Sequence, residues 1–74
     1  MRTIITVKKE RVARCDYSVT VIKDGAQVKK DEFRGDAGDA AAAAINHAAR
    51  NKPSVIVSSK EVGRFVPAEF GGTL

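Results

Sequence analysis

Cys15-Asp16-Tyr17-Ser18-Val19-Thr20-Val21-Ile22-Lys23-Asp24-Gly25-Ala26 decides the fold of this 74-residue chain. Cys15, Tyr17, Val19 and Val21 alternate with Asp16, Ser18, Thr20 and Ile22. That period of two marks a strand with one buried face. Asp24-Gly25 follows, the pair preferred where a two-residue hairpin turn needs positive φ at both positions. The chain therefore returns antiparallel through Ala26-Gln27-Val28. Pairing across the turn sets Lys23 opposite Ala26 and Val21 opposite Val28, with both valines on the inner face.

Working outward, Val28 and Phe33 differ in parity, so a regular strand sends them to opposite faces. A bulge within Lys29-Lys30-Asp31-Glu32 returns Phe33 to the core beside Tyr17. Otherwise the strand ends early and Phe33 only staples the start of the next element. Upstream, Thr3 to Val7 is β-branched throughout and reads as strand. Lys8 to Arg14 contains no Gly, Pro or Asn. Either the first hairpin is long with an irregular turn, or this segment is a charged loop.

Downstream, Gly35-Asp36-Ala37-Gly38-Asp39 reads as a helix start, with Asp36 as N-cap and Asp39 at the positive end of the dipole. Residues 37–50 hold eight alanines, the best helix formers. Arg50 suits the C-terminal end, Asn51 a left-handed cap, and Pro53 a stop. Asp36, Asp39, Asn46, His47 and Arg50 fall on one face; Ile45, Ala37, Ala41, Ala44 and Ala48 form the other. Ile45, the only large apolar side chain on the helix, is expected against Val19 and Val21, with Ile45→Ala costing roughly 2–5 kcal/mol. Ser54-Val55-Ile56-Val57-Ser58 is a short strand apolar on both sides. Residues 60–74, with Val62, Phe65, Val66 and Phe70 among Gly63, Pro67, Gly71 and Gly72, are read as an extended tail or a fifth, edge strand. The expected fold class is α+β: an antiparallel sheet of three N-terminal strands, one alanine-rich helix on it and a further short strand (βββαβ), in a single small domain over 1–74.

Composition limits the function. One cysteine and one histidine exclude an internal disulfide and the common zinc cages. No apolar run approaches the roughly 18 residues that cross a bilayer, and the N-terminal apolar stretch is too short for a signal peptide. A free thiol and no export signal favour a reducing, cytoplasmic setting. A Cys–His nucleophile pair needs Cys15 and His47 in contact, yet one opens a strand and the other lies on the polar helix face. Asp36 and Asp39 are explained by capping. Gly35-Asp36-Ala37-Gly38 lacks the Lys-Ser/Thr of a phosphate loop. No enzyme, cofactor or metal is expected.

Charge points further. The net charge is +4. Residues 1–34 hold nine basic and five acidic side chains, whereas residues 35–74 hold four of each. A one-sided positive field attracts polyanions. Lys8, Lys9, Arg11, Arg14, Lys29, Lys30 and Arg34 are therefore the candidate nucleic-acid-binding residues. An outward sheet face of Thr6, Lys8, Ser18, Thr20 and Lys29 would offer cations among hydroxyls, suited to phosphate. The opposing interpretation is a solvated face whose lysines protect its edges.

Three strands before an alanine-rich helix, with Tyr17-Ser18-Val19-Thr20-Val21, Phe33 ahead of the helix and Asn46-His47-Ala48-Ala49-Arg50, resemble the Apetala/ethylene-response DNA-binding domain and the arm-binding domain of phage integrases. The likeness spans roughly Thr3 to Ser58. It implies DNA read by strand residues. The chain departs from it in having no tryptophan and in placing Ile4-Ile5-Thr6-Val7 where an arginine-rich strand would stand. The rival function is a protein-interaction module. In general terms the chain is similar to small phage or mobile-element proteins that inhibit host enzymes, and a homodimer is its simplest form. The exposed edge of the first strand or of Val55–Val57 would then add to a partner sheet.

Overall fold

The chain forms β1 (Thr3–Val12), β2 (Cys15–Lys23), β3 (Ala26–Phe33), α1 (Ala37–Arg50), β4 (Ser54–Val57), α2 (Lys60–Gly63) and a 3-10 turn at Ala68–Phe70, in a computed structural model that describes residues 2–12 and 15–71. The class is α+β, with three N-terminal strands, then the helix, then a strand. β1–β2 and β2–β3 are antiparallel hairpins. β4 lies parallel to β1, giving the order β3-β2-β1-β4. The helix causes this. It carries the chain back across the sheet and delivers β4 to the end where β1 begins, as a crossover between parallel strands requires. Thr3 N–H donates to Pro53 O at 2.9 Å and aligns the two starts. β1 is thus interior, and its edge is not open to a partner.

Asp24 (φ 52) and Gly25 (φ 80) both sit in the left-handed region, as the hairpin turn demands. The long first hairpin is the alternative that forms. β1 runs to Val12, with its register broken between Lys9 and Val12; the turn itself falls outside the described residues.

β3 corrects the expected pairing. Lys23 faces Ala26 and Ile22 faces Gln27, but Val21 faces Lys29 rather than Val28. The extra residue is Val28, so the bulge lies before Lys29 and not within 29–32. Every later residue is displaced by one position relative to a regular hairpin. Phe33 does pair with Tyr17, while Val28 is turned out and 55% exposed.

One face of the sheet meets α1. Ile5, Val19, Val21 and Ile56 pack there against Ala44, Ala48 and Phe70. Tyr17 packs with Ala37, Ala40, Ala41 and Val62. Ala40, Ala44 and Ala48 have no exposed surface. Their methyl groups let the helix axis approach closely, and the bulk at the contact comes from the strands. Ile45 is only partly buried at the margin of the Ile5–Ile56 cluster, so its truncation belongs at the low end of the expected range. Asp36 and Asp39 form a reciprocal capping box, at 2.9 and 3.1 Å. Asn51 is not left-handed (φ −126, ψ 35). It closes the helix differently: its Nδ2 donates to His47 O at 2.7 Å and its backbone N–H to Ala48 O at 3.2 Å.

Over its described residues, 60–71, the tail becomes neither a fifth strand nor an extended arm. Gly63 N–H bonds Ser59 O and Arg64 N–H bonds Lys60 O, a single helical turn that sinks Val62. Pro67 lacks the N–H that pairing with β4 would use. The chain instead folds back and buries Phe70 to 5% exposure.

Candidate functional site

The sheet has a second face, which α1 does not cover. Its cross-strand rows follow from the register. Val55, Ile4, Ile22 and Gln27 make one row; Val57, Thr6, Thr20 and Lys30 make the next; Lys8, Ser18 and Glu32 make the third. Ile4 is 38% exposed, while Ile22, Val55 and Val57 are half-buried. An apolar patch therefore occupies the β4 end of the face, bordered by two threonines.

The charged residues arrive differently from expectation. Thr6, Lys8, Ser18 and Thr20 do share this face, but the bulge at Val28 puts Lys30 on it and sends Lys29 to the helix side. Lys8 and Lys30 sit two strands apart. Between and beside them lie Ser18, Glu32 and Glu10. Ser18 is 2% exposed because Glu10 folds over it; its hydroxyl donates to Glu10 Oε1 at 3.0 Å. Lys9 points to the helix side, 4.0 Å from Glu61 Oε2. Arg34 follows β3 and already has a partner. Arg11 lies within β1, its side chain undescribed, and Arg14 is outside the described residues. The described members of the expected basic group thus divide between two faces, and acids accompany those on the open one.

Cys15 and His47 have separate partners. Cys15 is buried, and its thiol donates to Tyr17 O at 3.1 Å. His47 Nε2 lies 2.6 Å from Asp31 Oδ2. A carboxylate only accepts, so that ring nitrogen carries the proton. The bond ties α1 to β3, the strand with least apolar contact. Cys15 opens β2 and His47 lies near the end of α1, towards opposite ends of the covered face. Among the described residues no group of three or more His, Cys, Asp or Glu is arranged to hold a metal. Nor, among those residues, is any helix long and apolar enough to cross a membrane.

Tyr17 reports on the covered face. Burial raises its phenol above the ordinary value of 10.0, and the carboxylates of Glu61, Asp16 and Asp36 add to the shift. A raised folded value means that the phenol stabilises the fold fully below the unfolded pKa. That contribution is lost as pH rises through the folded one. Tyr17 is the only tyrosine and there is no tryptophan, so ultraviolet titration reads it alone. Its phenolate should appear above pH 10 in the folded protein and shift downward in denaturant.

Sequence reading missed a second convergence. Arg2, Lys23, Arg50 and Lys52 are dispersed along the chain, yet all meet at one end of the molecule around a hollow of about 330 Å³. Arg2 precedes β1, Lys23 ends β2, Arg50 ends α1 and Lys52 precedes β4. The parallel pairing of β4 with β1 was the missing signal, because it puts all four termini at the same end.

With this geometry in view, no protein-family model matches the chain and no curated protein matches it.

Proposed function

We propose that this chain is a small, non-enzymatic interaction module that docks through its uncovered sheet face, and that the occupant is a second copy of the chain. One observation carries this reading: Ile4, Ile22, Val55 and Val57 are contiguous on the sheet face that α1 leaves open. A sheet face left to solvent ordinarily shows polar residues, yet this patch spans the antiparallel β1–β2 pair and the parallel β4. A contiguous apolar patch with a polar border is the signature of a docking surface.

The surrounding charge favours self-pairing. Lys8 and Lys30 share the face with Glu10 and Glu32, so a copy related by a twofold axis can meet cations with carboxylates. An isologous interface must be self-complementary in this sense. Four strands about 4.8 Å apart, with ten residues in β1, give a face on the order of 500 Å² in projection. Side-chain relief raises that toward the roughly 800 Å² per partner of a standard interface. The same acids weigh against phosphate binding on this face. A buried, hydrogen-bonded Cys15 thiol fits a reducing cytoplasmic setting.

Amide spectra of isotope-labelled protein across a dilution series test the surface. Concentration-dependent shifts should gather on Ile4, Thr6, Thr20, Ile22 and Val57. Shifts confined to β3 and its exposed outer edge would point to edge pairing instead and overturn the face assignment.

A further inference from the structure

We infer that the end of the molecule formed by Arg2, Lys23, Arg50 and Lys52 is an anion site that takes the phosphate backbone of a nucleic acid. This goes beyond the sheet-face reading and uses none of its residues.

The site is a polar hollow of about 330 Å³ whose walls include Arg2, Lys23, Asp24, Arg50, Asn51 and Lys52. Arg2 and Lys52 also border a second hollow of about 550 Å³ beside Phe70. All four cations are exposed. Among the described residues none of these four is seen in an ion pair, unlike Lys9 with Glu61 and His47 with Asp31. Among the described residues Asp24 is the carboxylate that lines the polar hollow, leaving an excess of three positive charges there, while Glu69 lines the neighbouring hollow with Arg2 and Lys52. Like charges gathered this closely repel one another, and an anion relieves that repulsion.

The ordinary explanation for cations here is the negative end of α1. It accounts for little. Two of the last four carbonyls of the helix are already served: Asn51 Nδ2 reaches His47 O, and Ser54 Oγ donates to Ala48 O at 2.8 Å. Arg2 and Lys23 belong to strand ends, where no helix dipole recruits them. Lys52 Nζ lies 6.0 Å from the centroid of the Phe70 ring, at the outer limit of a cation–π contact.

The ligand follows from shape and chemistry. The hollow is open at the end of the molecule, so a linear polyanion can cross it. Arginine and lysine supply donors to phosphate oxygens. Phe70 is buried, so no ring at this end is free for a base to stack on. The contacts position a backbone and do not read sequence.

Fluorescence anisotropy with a labelled DNA duplex tests the site in three arms. In the first, wild-type protein should bind at low salt, with affinity falling steeply as salt rises. In the second, the triple variant Lys23→Ala, Arg50→Ala, Lys52→Ala should lose affinity and flatten the log–log salt slope by about 2.7, three phosphate contacts at about 0.9 each. Lys8→Ala with Lys30→Ala, on the open sheet face, should leave the slope unchanged. In the third, inorganic triphosphate should displace the duplex only at concentrations that act as general salt. Circular dichroism melts should show both variants folded, since all five positions are exposed; Lys52→Glu alone should reproduce part of the loss. No wild-type binding at low salt overturns the inference. So does an unchanged slope in the triple variant, or a loss produced instead by Lys8→Ala with Lys30→Ala. Displacement by low triphosphate would make this a site for a small free polyphosphate rather than for nucleic acid.

Discussion

Ile5→Ala should lower the unfolding free energy by about 2–5 kcal/mol, the range for a buried large-to-small change. Ile5 has no exposed surface and sits in the interior strand β1, between Val21 on β2 and Ile56 on β4. The helix residues on that side are alanines, whose methyl groups cannot move in to fill the gap. A domain of this length has a total stability of roughly 4–11 kcal/mol at 0.05–0.15 kcal/mol per residue. The loss therefore approaches the whole in the lower part of that range, and the variant should be partly unfolded at room temperature. Urea melts followed by Tyr17 fluorescence measure it. A loss below about 1 kcal/mol would mean that the sheet–helix contact is not where the stability resides.

Ile4→Lys should have the larger effect on assembly and a small one on folding. Ile4 neighbours Ile5 in sequence but faces the opposite side of the sheet, between Val55 and Ile22. At 38% exposure it can exchange for lysine, whose stem lies along the strand while its head reaches water. In a twofold dimer the substitution appears twice in one interface. Central apolar anchors cost about 2 kcal/mol or more each when lost. Two of them weaken association on the order of a thousandfold. The monomer should melt within a few degrees of the wild-type monomer. Val28→Lys, at the exposed bulge on the edge strand, should leave association unchanged.

These two residues show what could and could not be read from the sequence. The alternation from Cys15 to Ile22, the Asp24-Gly25 turn and the Asp36–Asp39 capping box are local signals, and each element they imply is present. Long-range pairing was not legible. Nothing local states that β4 lies parallel to β1, yet that pairing makes β1 interior and gathers Arg2, Lys23, Arg50 and Lys52 at one end. A bulge at Val28, ahead of the expected Lys29–Glu32 stretch, shifts the register by one residue and exchanges Lys29 and Lys30 between faces, because side chains alternate at every residue. The helical angle of His47 places it on the polar face of α1; its carboxylate partner, Asp31, comes from β3 through tertiary structure. The basic composition of residues 1–34 was visible, but its distribution over two faces was not.

Val55 and Val57 link the fold to the docking surface. Their apolar character suits a strand buried on both sides or central, but β4 is an edge strand and α1 covers one side of it only. Sedimentation equilibrium of the wild-type protein from micromolar to millimolar concentration tests directly whether a second copy supplies the missing cover. A docking sheet predicts a reversible rise toward twice the 7.9 kDa chain mass, persisting in high salt because the patch is apolar and abolished by Ile4→Lys. A mass that stays at 7.9 kDa through the whole range would contradict it.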